Sequence, residues 1–148
     1  MRESIDSFYI RMARFISERS TCTRRKVGAI IVRDKMVLGV GYNGVPSKIK
    51  HCTKETCIRT RLNIPSGERH ELCYGVHSEA NAIATAAKNG VNINNSTLYC
   101  TTYPCAYCAK IIVSSGISKV VYSEGYPDEL SKTIMQNIEV VKYEEEEE

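Results

Sequence analysis

The apolar positions change period several times along the chain, and each change predicts an element. Ile5, Phe8, Met12, Phe15 and Ile16 recur at helical spacing, so residues 5–18 read as an amphipathic helix. Val27 to Val32 is a short, β-branched apolar run, and Val37 to Tyr42 is another. Arg33-Asp34-Lys35 lies between them as a turn, which predicts a hairpin. Regular patterning then stops. Residues 43–76, 34 in all, hold two prolines and no long apolar period. An irregular segment that long in a compact domain is functional or is held by something. It carries His51, Cys52, Cys57, His70 and Cys73.

Order returns at His77. Residues 77–89 are Ala-rich and predict a helix stopped by Gly90. A strand over 97–101, a helix over 105–115 stopped by Gly116, and a strand over 120–122 follow. A helix over 129–137 and a strand over 138–143 close the pattern. Alternating helices and strands imply crossovers and a parallel sheet portion, and the opening hairpin makes the sheet mixed. The fold class is therefore α/β, with a mixed sheet of about five strands. No repeat or linker divides it, so residues 1–148 read as one domain.

Composition narrows the function. A chain of 148 residues suffices for one domain with a sizeable core. It has no run of about 18 apolar residues, and its charged N-terminus does not resemble a signal peptide. A cytoplasmic protein with no membrane partner is expected. The net charge of +3 hides an asymmetry. Residues 1–74 hold 15 Lys/Arg against 7 Asp/Glu, a net of +8, and residues 75–148 hold 5 against 10, a net of −5. Glu144 to Glu148 supply half of that acidity and read as a solvated, poorly ordered tail. The basic half suits an anionic ligand. A pI of 8.4 falls below the level of about 9 that argues for nucleic acid.

Seven cysteines, an odd number without a secretory segment, favour metal or catalytic thiols over a disulfide framework. Two pieces carry the chemistry: His77-Ser78-Glu79 and Pro104-Cys105-Ala106-Tyr107-Cys108. Both stand where a loop enters a predicted helix. Cys105 and Cys108, three apart, share one face of the first turn, where the helix dipole lowers thiol pKa. With His77 they offer three N/S ligands, the number catalytic zinc uses while a fourth position stays open for water. Glu79, two residues after His77, is the candidate proton carrier. Taken alone, the CxxC pair could be redox-active or half of a zinc ribbon, but no second Cys pair lies at ribbon spacing. His-x-Glu with Pro-Cys-x-x-Cys, in this order, is the signature of zinc nucleobase deaminases.

The likeness extends beyond that signature. Ser20 to Ala29, Gly41-Tyr42-Asn43-Gly44, His77 to Ile83 and Thr97 to Cys108 resemble the deoxycytidylate deaminases of the zinc-dependent cytidine/deoxycytidylate deaminase superfamily. The resemblance implies a three-layer α/β/α cytidine-deaminase-like sandwich that hydrolyses dCMP to dUMP and ammonia and so feeds thymidylate synthesis. It implies that attack falls on C4 of the cytosine ring, with Glu79 moving protons to N3 and to the departing amine. The backbone at Ser78 would face the ring carbonyl, Asn43 would bond the deoxyribose and Tyr126 would pack by the base. Relatives have Ala where this chain has Ser78. A phosphate needs cations, and Arg24, Arg25, Lys26 and Lys48 flank the hairpin or the Gly-Tyr-Asn-Gly loop. The resemblance further implies a homo-oligomer (a hexamer), dCTP and dTTP as effectors, and Mg2+ with a regulatory dCTP.

The other thiols suggest a second metal. Some relatives carry a structural zinc near the first strand and the long loop. Cys22, Cys52, His70 and Cys73 would make such a closed four-ligand site, with Cys57 or His51 able to replace one. It would pin the irregular segment, whose ordering entropy few apolar contacts offset. Otherwise these are buried small hydrophobes, as Cys100 reads. Two other functions stand against the dCMP reading. One is a zinc deaminase acting on another cytosine or adenine nucleotide, including tRNA adenosine. The other is a non-catalytic zinc-stabilised binding protein, which would have no use for Glu79.

Overall fold

Period-2 alternation in the central strands sends side chains into two separate cores, one on each face of a five-stranded sheet. The structure is a computed structural model and describes residues 2–146. Helix α1 (Ile5–Ser17) precedes the hairpin β1 (Gly28–Arg33) and β2 (Met36–Tyr42). A short α2 (Ile58–Arg61) and a 3-10 turn (His70–Leu72) lie in the irregular segment. Then come α3 (Ser78–Lys88), β3 (Thr97–Thr102), α4 (Ala106–Ser114), β4 (Lys119–Glu124), α5 (Glu129–Ile134) and β5 (Glu139–Lys142). The strand order is β2-β1-β3-β4-β5. β1 runs antiparallel to β2 and β3, and β3, β4 and β5 are parallel.

Ala29 and Ile31 of β1, Leu98 and Cys100 of β3, and Val120 and Tyr122 of β4 enter the larger core. There Ala82 and Ala86 of α3 and Ala109 and Ile112 of α4 meet them. Their neighbours Ile30, Val32, Tyr99 and Val121 point the other way, onto Tyr9, Ile10 and Ala13 of α1. Two helical layers thus enclose the mixed sheet, as expected. Ser4 starts α1 by accepting from the Ser7 N–H at 3.1 Å. The hairpin turns through Asp34 and Lys35, both at positive φ, the geometry of a two-residue turn that matches strand twist. Gly90 and Gly116 end their helices at φ +67° and +87°.

The fifth helix is three residues shorter than its pattern. Met135 leaves the helix to fill the larger core at 1% exposure, and Ile138 N–H then bonds its carbonyl at 3.1 Å. No helix among the described residues is long and apolar enough to cross a membrane. Of the acidic tail, Glu145 pairs with Arg14 and Glu146 accepts from the Ser4 N–H at 3.3 Å. Glu147 and Glu148 lie outside the described residues.

Two features set the site in place. Gly41 sits against α3, where an added Cβ would meet Ser78 O at 2.3 Å and Ala82 N at 2.4 Å. Only a residue without a side chain allows α3 so close to β2. Gly44 and Val76 then pair in an isolated bridge, Val76 N–H to Gly44 O at 2.7 Å and Gly44 N–H to Val76 O at 3.2 Å. The bridge closes the irregular segment at its base and delivers the chain into His77.

Candidate active site

His77 is the N-cap residue of α3 and Cys105 is the N-cap of α4. Neither side chain makes the usual capping bond, so both are free to turn into the space between the two helix starts. Cys108 follows one turn into α4 and is buried. His77 Nδ1 lies 3.4 Å from Cys105 Sγ and 3.5 Å from Cys108 Sγ. All three ligand atoms lie within 4.8 Å of one another, the only such group of three or more among the described residues. Zn–N and Zn–S bonds of about 2.05 and 2.3 Å at a tetrahedral angle set N···S near ~3.6 Å. The trio therefore fits zinc in both donor type and spacing.

The thiols are electrostatically prepared. A hydrogen bond from Cys108 and another from His77 hold Cys105 well below the usual thiol range. Its role as that donor, with burial, pushes Cys108 up. The hydrogen bond to Cys105 raises His77, against its burial. Two thiols and an imidazole are sharing protons that a dication would displace.

Glu79 follows in the first turn of α3 and is 3% exposed. Its Oε1 accepts from Ser78 Oγ at 2.6 Å. Ser78 is fully buried, and Cys100 Sγ lies 3.8 Å below its hydroxyl. Burial raises the Cys100 thiol well above its ordinary range, so it stays a core residue, as read. Glu79, His77 and Cys105 open onto a cavity of about 530 Å³.

A family model for the cytidine and deoxycytidylate deaminase zinc-binding region matches residues 3–124. The chain belongs to this deaminase family. Deoxycytidylate deaminase of Saccharomyces cerevisiae is 40% identical over 138 residues, 93% of this chain. The chain spans 43% of that relative's length. Deoxycytidylate deaminase of Mycobacterium phage D29 is 38% identical over 82% of this chain and 95% of the phage protein. The dCMP deaminase of cyanophage S-TIM5, solved with dCMP and dUMP, is 32% identical with a TM-score of 0.77. That match covers 97% of this chain and 99% of the phage chain.

Within this family member, the other residues singled out from sequence take varied places. Asn43 lines the cavity, but its amide also ties the hairpin. Oδ1 accepts from Val27 N–H at 2.8 Å and Nδ2 donates to Arg25 O at 2.7 Å. One N–H and one lone pair remain for a sugar hydroxyl. Ser78 lines the cavity too, with its hydroxyl directed to Glu79. Tyr126 stands at the rim, 91% exposed. Arg24 and Arg25 reach the cavity. Arg24 donates to Ile64 O at 2.7 Å, and Arg25 to Thr102 Oγ1 at 2.7 Å. Lys26 and Lys48 are exposed and stand away from the cavity wall.

Arg59 is the cation that sequence reasoning missed. It is 8% exposed, lines the cavity, and donates Nε–H to Glu68 O at 3.0 Å. It has no carboxylate partner among the described residues. Its charge bears on His70 and His77, whereas Arg24's bears on Cys57. Arg59 sits on a four-residue helix with no apolar period, so its only sequence signal was its place two residues after Cys57.

The second set of ligands is also rearranged. Burial and the neighbouring thiols of Cys57, Cys73 and Cys22 push Cys52 up. His70 is not among them, contrary to expectation. It lies against His77, its Nδ1 3.3 Å from His77 Nε2, and Cys57 is the other thiol near Cys52; no three of these four sulfurs all lie within 4.8 Å of one another. Three of the four sulfurs receive a backbone N–H from two residues later. Arg24 N–H reaches Cys22 Sγ at 3.5 Å, Gly75 N–H reaches Cys73 Sγ at 3.3 Å, and Arg59 N–H reaches Cys57. Burial opposes ionisation of Cys57, but bonds from Thr60 and Arg59 and the charge of Arg24 bring it below the usual thiol range. Such N–H···S bonds stabilise thiolate, the form that binds metal. His51 is exposed and outside this group.

Proposed function

We propose that the chain hydrolyses dCMP to dUMP and ammonia. The observation that carries the reading is Glu79, a carboxylate 3% exposed on the wall of the cavity that His77 and Cys105 also line. A scaffold has no use for a buried carboxylate there. Zinc held by His77, Cys105 and Cys108 would supply Lewis-acid activation of water, whose pKa it lowers to about 7.

Glu79 would take one proton from the water and give it to N3 of the ring as oxygen adds to C4, then take the second from that oxygen and give it to the leaving amine as the C4–N bond breaks. Ser78 Oγ–H holds Oε1 of that carboxylate in place. Asn43, already fixed by two backbone bonds, offers its remaining N–H and lone pair to the deoxyribose. Tyr126 covers the open side of the base. Arg59 takes the phosphate. A guanidinium that is buried and lacks a carboxylate is costly unless an anion meets it, and the substrate's phosphate is one.

Ultraviolet monitoring of dCMP, dCTP, deoxycytidine and cytosine, with dCTP or dTTP added as effectors, tests the reading. Turnover of dCMP is expected. Turnover of a tRNA adenosine with none of dCMP would replace it.

The proposal extends to a second zinc on Cys22, Cys52, Cys57 and Cys73, supported by the four thiols and their N–H···S bonds. A hexamer, control by dCTP and dTTP with Mg2+, and a cytoplasmic site of action enter from the family resemblance.

A further inference from the structure

We infer that His70 is a positioning residue for His77. It accepts the N–H on the far side of the His77 ring and so fixes which nitrogen His77 presents to a metal. The inference rests on the reading of His77, Cys105 and Cys108 as a metal site.

The tautomers follow from geometry. His77 Nδ1 faces both sulfurs, at 3.4 and 3.5 Å, so with metal bound this nitrogen gives up the hydrogen it shares with Cys105 and carries the lone pair that binds. A neutral imidazole has one N–H and one lone pair, which puts the hydrogen on Nε2. Nε2 lies 3.3 Å from His70 Nδ1. The pair then works in one sense only: His77 Nε2–H donates and His70 Nδ1 accepts. His70 keeps its own hydrogen on Nε2, and the Gly67 backbone is its further hydrogen-bonding neighbour. The rings meet edge-on, at 83° with centroids 4.7 Å apart, so the contact is not a stack.

His70 is itself well held. It opens the 3-10 turn, and its carbonyl accepts from Cys73 N–H at 3.0 Å. Arg69 before it is at φ +53°, which turns the chain back toward α3. Two residues before His70, Glu68 O is anchored by Arg59.

Ligand histidines usually donate their second N–H to a carboxylate, a backbone carbonyl or water. Here a second imidazole takes that place, and it carries no charge. A dication is already balanced by the two thiolates. A carboxylate behind His77 would make the ligand set anionic, whereas neutral His70 orients the ring and leaves the set uncharged.

The test compares His70→Asn with His70→Leu. The two side chains have similar volume, but only Asn can accept the His77 N–H. Zinc affinity is measured by competition with a chromophoric chelator. Cadmium-113 resonances follow the two-sulfur and four-sulfur sites separately, and melting curves follow the fold. His70→Leu is expected to bind metal at the trio 10- to 100-fold more weakly. His70→Asn should recover most of that loss, and the resonance of the four-sulfur site should stay put in both. Equal weakening in the two variants would indicate packing alone and overturn the inference, as would unchanged affinity in His70→Leu. Should His70→Leu fail to fold, His70→Phe against His70→Gln repeats the comparison. A wild-type chain that takes up no metal at the trio would instead overturn the metal reading itself.

Discussion

Ser78 Oγ donates to Glu79 Oε1 at 2.6 Å inside the protein, where an Ala would leave that oxygen one donor short. The bond holds the carboxylate in one rotamer. Hydrogen bonds to charged groups contribute about 1.5–3 kcal/mol. Ser78→Ala should lower kcat by less than about tenfold and leave KM for dCMP nearly unchanged. Glu79→Gln should lower kcat by about 10²- to 10⁴-fold, the range for loss of a general acid-base group, with zinc retained. Steady-state kinetics with metal analysis check both, and an active Glu79→Gln would sink the mechanism.

Arg59 is read as the phosphate ligand. Arg59→Gln should raise KM for dCMP by about ten- to a hundredfold, the loss of one charge-assisted contact. Affinity for deoxycytidine, which has no phosphate, should change much less. The same variant of Arg24, whose guanidinium is engaged with Ile64 O, should have the smaller effect. An equal loss toward both substrates would assign Arg59 to loop support alone.

The four thiols predict two zinc ions per chain. Cys57→Ser should leave one, while His51→Ala should leave two, because His51 is exposed and apart from the sulfurs. Mass spectrometry under native conditions counts the ions directly. Since Cys52, Cys57 and Cys73 lie within residues 43–76 and Cys22 precedes β1, removing their zinc should also expose that segment to proteolysis at about 58–70, while the sheet survives.

Gly41→Ala should destabilise the chain by about 1–3 kcal/mol, the usual cost of overpacking. The added methyl would meet the Ser78 carbonyl and Ala82 N, so α3 must move and carry His77 and Glu79 with it. Thermal melts and zinc affinity should fall together. A Gly41→Ala chain with normal stability would show that α3 slides freely on β2.

The sheet and its helices were legible because their signals are long. Alternation in β1, β3 and β4 and the 3.6 period of α1 survive any tertiary context. The convergence of His77, Cys105 and Cys108 was legible for a different reason: residues at fixed offsets from two helix starts are brought together whatever lies between them. The irregular segment was not legible in detail. Where His70 and Cys57 stand relative to Cys22, Cys52 and Cys73 depends on one 3-10 turn and one residue at positive φ, and neither leaves a periodic trace. Arg59 was hidden for the same reason. Lys26 and Lys48 are near the hairpin and the loop in sequence, but both side chains are exposed and away from the cavity wall.

The bridge between Gly44 and Val76 gives the segment it closes an independence of its own. Both ends of the insertion leave the body of the protein at one hydrogen-bonded pair. Its length can therefore grow or shrink without altering the path of the chain from β2 into α3. The wall that holds Arg59 and His70 stays joined to the floor through side chains as well, His70 to His77 and Arg24 to Ile64. An insertion of another length can reshape what the cavity accepts, but it must still set an acceptor behind His77.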